Sequence, residues 1–310
     1  MKKLLGIVVL GLLLNTNVFS KSTKLVKGNF YQGEIKWKSL NYELPEGKWK
    51  FYFKDYFAID TISFQCIEFI QVESKTFKSG YQICEIDNGG SYASALGFYL
   101  GHSLKKDKYD NCTLRPEYFY AKLWAKGMSL NCFRIRHLDV DKELNYPDDP
   151  QDHSSAQIKK YIKDNNIKIP KTALSSSNFF YSPRIRGVGI DVTHIINPEL
   201  YGAPKTINGA EAQSEYHRNN IENYPIKKKF MNDWTAKKAN QHRDFENKMG
   251  AKIHQKLDLS EFMKTENNVS ENNVSENNDF IKQLESLNEL YKSGTLTKEE
   301  FEKAKKKILN

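Results

Sequence analysis

Four cysteines, one histidine on an apolar strand and one acidic loop are the places where this sequence could do chemistry. Cys66, Cys84, Cys112 and Cys132 are all the cysteines of the 310-residue chain. Their even number, behind an N-terminus of export type, points to two structural disulfides. Sequence admits three pairings. Neighbour pairing, Cys66–Cys84 with Cys112–Cys132, is preferred, each link closing a loop of about twenty residues worth roughly 3 kcal/mol in the chain-entropy picture. There is no Cys-x-x-Cys to support a thioredoxin-like redox role, and the spacing is too wide for a four-cysteine zinc site.

His194 shares an apolar strand face with Val188, Ile190, Val192 and Ile196. Asp191 and the serines at 175 to 177 complete a hydrolytic triad on paper. Such sets arise by chance in chains of this length, and a hydrogen-bonded core or rim histidine is the preferred reading. No nucleophile elbow, phosphate loop or dinucleotide fingerprint is present. The run from Asp139 to His153 is rich in carboxylates, but as a calcium loop it fails: Leu144 stands where glycine is needed and Pro150 where the bidentate glutamate is needed. The expectation is no catalytic residue, no metal ligand and no cofactor, with the acidic run a solvated loop ahead of a helix from Ser154 or Ser155 to Asn166.

The elements that must hold these residues are mainly strands. Ile62–Val72 alternates, with Ile62, Phe64, Cys66, Ile70 and Val72 on one side and Ser63, Gln65 and Gln71 on the other. Tyr81–Ile86, Tyr118–Trp124, Leu130–Leu138 and Gly187–Ile196 read the same way, as does Asn29–Trp37. In the strand after the Pro45–Gly47 turn, Trp49, Phe51 and Phe53 alternate with Lys48, Lys50 and Lys54, aromatic inside and lysine outside. Ser91–Gly101 has helical spacing and predicts a short helix on the sheet. Ala210–Glu222 and Ile226–Ile253 predict two more helices, the second mostly facing water, with Phe230 and Trp234 docking on the sheet. The chain is 13% aromatic, enough to line a ligand cavity.

Lys2, Lys3, the apolar run Leu4–Leu14 and the small residues Val18 and Ser20 have the form of a cleaved export signal over residues 1–20. The run is shorter than the roughly twenty residues that span a bilayer. The expected location is periplasmic or secreted, with no membrane span. The net charge of +9 is spread rather than striped, and no arginine-rich or aromatic RNA motif occurs, so nucleic acid is not an expected partner.

Near the C-terminus the polar pentapeptide Glu266-Asn-Asn-Val-Ser repeats at Glu271. Such a segment cannot bury enough surface to fold and reads as a tether over 264–278. Beyond it, Phe280, Ile281, Leu284, Leu287 and Leu290 form an apolar helical stripe. Gly294 suits a helix end. Thr297 and Glu300 form a capping box, with Leu296 stapled on Phe301. Phe301, Ala304, Ile308 and Leu309 face back. The stretch Ile281–Leu309 resembles the SHOCT (short C-terminal domain) module. That resemblance implies a helical hairpin with an oligomerisation or interaction role, for which Phe280, Ile281, Leu284, Leu287, Leu290, Leu296, Phe301 and Ile308 are the candidate contact residues.

The sequence thus predicts an α+β protein. A mainly antiparallel, sandwich- or barrel-like body (25–200), disulfide-stapled, is followed by a helical extension (210–260), the tether, and a hairpin at 279–310. The expected function is that of an exported, non-enzymatic protein whose hairpin binds itself or another envelope protein. A small-ligand carrier with an aromatic-lined cavity is the alternative, and a hydrolase built on His194 the third.

Overall fold

The computed structural model describes residues 24–38, 40–59, 62–86, 118–125, 129–145, 153–182, 188–249, 256–260, 291 and 297–309. The expected export signal, the helix expected at Ser91–Gly101, Cys112, the expected tether and the stripe Phe280–Leu290 with Leu296 lie outside them.

The expected α+β class with an antiparallel body holds. Two meanders make one eight-stranded sheet: β4 (Trp49–Ile59), β5 (Ile62–Glu73) and β6 (Thr76–Ile86), then β7 (Phe119–Ala125), β8 (Ser129–Asp139), β9 (Thr172–Ser182) and β10 (Val188–Ile196). They join where β10 pairs with β6, and the short β1 (Phe30–Tyr31) edges β4. The hairpin of β2 (Glu34–Trp37) and β3 (Leu40–Glu43) packs Ile35, Trp37 and Tyr42 on one face of the sheet. It gives a second β layer at that end.

Register aligns one row of side chains across seven strands: Phe51, Phe69, Tyr81, His194, Ser176, Ile135 and Phe119. Successive strand residues point to opposite faces, so this row and its neighbours form the face covered by helix α3 (Pro225–Met249) and the β2–β3 hairpin. The opposite face carries Tyr52, Phe53, Ile70 and Phe77, packed against Ile167 and helix α2 (His153–Asp164).

Three strand readings need correction. A bulge between Phe51 and Phe53 sends Trp49 and Phe51 to one face and both Tyr52 and Phe53 to the other. After it Lys54 reaches over the Trp37 ring at 4.9 Å. In β5, Ile67 and Phe69 fall on the glutamine side and are fully buried, because both faces of this central strand are covered. Strand β9 was not expected. Its Ser175–Ser177 run has no alternation to read, although all three serines are buried.

The helices also differ from the sequence reading. Helix α1 (Val140–Asn145) begins inside the supposed acidic loop, and Asp139 caps it by accepting from the Lys142 N–H at 3.1 Å. Ala210–Glu222 is not a helix. It is a strap of turns with short 3-10 segments at Glu211–Gln213 and Ile221–Asn223. Helix α3 matches the second predicted helix, but its sheet side carries Lys227, Lys238, His242 and Glu246, all buried, beside Met231 and Trp234.

Candidate functional site

Cys66 and Cys84 sit directly opposite each other on β5 and β6, with Cα atoms 4.1 Å apart, and form a disulfide. This is the first of the two preferred pairs. Cys132 is also disulfide-bonded.

The functional candidate lies on the other face. An open cleft of about 1470 Å³ runs from Tyr161 and Ile167 past Ile70 and the β3–β4 loop to the sheet face under α3. Its floor holds His194, with Ser176 and Val192 beside it. Its α3 wall presents Trp234, Lys238 and Phe245, and seven lysines but no arginine line it. Gly47 shapes the loop rim: its φ of +104° is a left-handed conformation, and a Cβ there would meet Gln71 Nε2 at 2.6 Å.

His194 is 6% exposed, and the edges of two rings hold it. Trp49 lies 5.8 Å away and Tyr81 5.6 Å away, centroid to centroid. Its Nδ1 accepts from the Lys238 amine, which leaves Nε2–H to donate to Ser79 Oγ at 3.2 Å. Ser79 Oγ in turn lies 2.8 Å from the hydroxyl of Tyr201, a residue 41% exposed. A polar chain therefore runs from a buried amine to the surface. Burial, then the Lys238 and Lys237 charges, hold His194 well below its usual range, so the ring is neutral. Burial, then Lys237, push Lys238 down to about 7.

The triad drawn from the sequence is not assembled. Asp191 is on the opposite face, where it accepts from the Thr193 hydroxyl at 3.3 Å. The serine that meets His194 is Ser79, not one of residues 175 to 177. A lysine occupies the imidazole nitrogen that a triad acid would need, and a cation there opposes the imidazolium a general base must form. Sequence reading missed Lys238, Ser79 and Tyr201. Lys238 follows Trp234 by four residues and precedes His242 by four, so the Trp234 stripe itself was the signal for its burial.

One turn further along α3 a second polar cluster is closed. Glu246 Oε1 accepts from Asn131 Nδ2 at 2.7 Å and from the Leu257 N–H at 2.8 Å, while Oε2 accepts from Arg243 at 2.5 Å. His242 Nε2 donates to Asn131 Oδ1 at 3.1 Å, and its Nδ1 meets the Asn178 amide at 2.8 Å. Every member has partners, and this cluster docks α3 on the sheet. Among the described residues no group of three or more His, Cys, Asp or Glu is placed to hold a metal. Likewise, no helix among them is long and apolar enough to cross a membrane.

Fold and cleft together define an α+β protein with a covered antiparallel sheet and one lysine-lined groove. Residues 282–309 match the Short C-terminal domain family, SHOCT, so the chain carries that domain at its end. No curated protein and no solved structure matches the chain. Within the domain, helix α4 (Lys298–Leu309) opens on the expected capping box. Thr297 N–H donates to Glu300 Oε2 at 3.0 Å, and Glu300 N–H to Thr297 Oγ1 at 3.3 Å. Phe301 stacks on Tyr291 with centroids 4.7 Å apart. Tyr291 was absent from the predicted contact set.

Proposed function

We propose that this is an exported, non-enzymatic protein that uses its SHOCT domain to self-associate or to dock on an envelope protein. The observation that carries the reading is the family match at residues 282–309. The capping box and the Tyr291–Phe301 stack support the helical form of that segment. The charged start and apolar run of residues 1–20 support export. Light scattering behind a sizing column, on the chain with and without Asp279–Asn310, tests it. An oligomer that becomes monomeric on truncation is the expected result. If both forms are monomeric, self-association is wrong, and the segment must then retain an envelope protein as bait or the whole reading falls.

A second reading is favoured by the cleft, and it is compatible with the first: the body is a small-ligand carrier. The groove, at about 1470 Å³ roomier than the roughly 300–1,000 Å³ usual for such sites, brings aromatic and polar side chains together around a concave surface. The intact chain should enhance the emission of 1-anilinonaphthalene-8-sulfonate. Val192→Trp, which fills the floor, should abolish that gain. Emission unchanged by the filling would overturn the carrier reading.

A further inference from the structure

The carrier reading leaves the ligand unnamed, and the following inference rests on that reading. A buried amine without a carboxylate beside it is rare, because burial penalises its charged form. Lys238 Nζ donates to Gln241 Oε1 at 2.7 Å and to His194 Nδ1. Both acceptors are neutral, and no carboxylate among the described residues pairs with the amine. Once protonated, the amine has three N–H groups, so its charged form has one beyond those that Gln241 and His194 take. Ser176 stands opposite His194 in the β9–β10 register and lines the same cleft. Its hydroxyl is buried and has no partner in the structure. An amine without a counter-charge, from the helix, and a hydroxyl without a partner, from the sheet, therefore lie on either side of His194.

We propose that the cleft binds an amphipathic carboxylate, its acid group held by Lys238 and Ser176 and its apolar body lying against Val192, Ile196, Trp234 and Phe245. The chemistry favours a carboxylate over a phosphate. One point cation and one hydroxyl match the two oxygens of a carboxylate and would leave the third oxygen of a phosphate without a donor. The lining sets seven lysines, among them Lys48, Lys75 and Lys248, against Glu43, Glu46, Glu73 and Asp244, and that positive balance raises the local concentration of anions.

Binding of this kind moves a proton. The titratable groups facing Lys238 are His194 on β10, with Tyr81 of β6 packed on its ring, and Lys237 on its own helix. None of them supplies negative charge at neutral pH. An arriving carboxylate does, and the amine takes up a proton to meet it. The His194–Ser79–Tyr201 chain links that amine to the surface.

Isothermal titration of the intact chain at pH 8 with decanoate and with decanol, in two buffers of different ionisation enthalpy, tests the assignment. Decanoate should bind roughly tenfold more tightly than decanol, the effect of one charge-assisted hydrogen bond. Its binding should take up close to one proton. Lys238→Gln should remove both the preference and the uptake, and Ser176→Ala should weaken decanoate more than decanol. Equal binding of the two probes without proton uptake overturns the carboxylate site and leaves the carrier reading standing. No binding of either probe overturns both. A preference that survives Lys238→Gln places the acid group on the rim lysines and overturns the proposal. The proton count is made on the unaltered chain, so it stands even where a variant fails to fold.

Discussion

Helix α3 buries two lysines three turns apart on one face, and their surroundings differ. Lys227 and Lys238 are each 4% exposed. Lys227 pairs with the Glu215 carboxylate, donates to the Lys205 carbonyl at 3.0 Å, and lies over the Tyr216 ring at 5.1 Å. Glu215 also accepts from the Ile207 and Asn208 N–H groups at 3.1 and 3.3 Å. Burial alone would push the Glu215 carboxyl up, but Lys227 and these N–H groups hold it below its usual range. The pair pins the strap of turns to the helix. Lys238 has only neutral acceptors and opens on the cleft. A buried charge with its counter-charge in place is a fastening. One without it leaves an interaction for something from outside to complete.

The largest effect expected from this contrast is at Lys227. Lys227→Met strands the Glu215 carboxylate in the interior, and urea unfolding should show a loss of about 3–5 kcal/mol, the usual result of removing one partner of a buried pair. Adding Glu215→Leu should recover much of it. A loss below about 1 kcal/mol would mean that the strap does not depend on the pair, and the contrast would break.

The opposite sign is expected at Lys238. Lys238→Met replaces an amine whose charged form is penalised with an apolar chain of similar volume, and stability near neutral pH should rise by about 1–3 kcal/mol. The gain depends on pH. Between about 7 and the usual 10.5, the unfolded chain holds a proton that the folded chain has released. Native stability therefore climbs with pH through that window, and the Met variant lacks this slope. Thermal melts should show the widest gap between the two proteins at or below pH 7 and a narrowing gap toward pH 10. A gap that stays constant would mean that Lys238 is not held neutral.

Much of this fold was legible in sequence wherever one rule governed a segment. Alternation found β5, β6, β8 and β10, and the box at Thr297–Glu300 follows from local hydrogen bonding alone. The disulfide between Cys66 and Cys84 was readable because neighbouring strands place such residues opposite each other. The cleft was not readable. Its floor depends on register between strands more than a hundred residues apart, as with Ser79 and His194, and no local pattern encodes that. Lys238 was masked for a different reason. In a helix rich in Lys, Asn and Gln, polar residues suggest a solvated face, yet here polar partners on the sheet receive them: Asn131 and Asn178 meet His242, and His194 meets Lys238. Ser175–Ser177 hid β9 in the same way.

The smallest expected effect sharpens the comparison most. Lys237 is exposed and lines the cleft, and after burial its charge helps to keep the Lys238 amine neutral. Lys237→Gln removes that repulsion, and with it the weaker push of the same charge on His194. The lower edge of the steep part of the native stability profile should move to higher pH, and stability at or below about pH 7, where the amine is charged, should rise by roughly a few tenths of a kcal/mol, the scale of exposed charge interactions. Salt should erase the difference, because a solvated charge is screened within about 10 Å at moderate ionic strength. The slope attributed to Lys238 should persist in salt, since burial rather than a neighbouring charge is its main cause. If salt abolished that slope as well, repulsion along the helix would outweigh burial at Lys238. Its difference from Lys227 would then lie in its neighbours on α3 and not in the missing carboxylate.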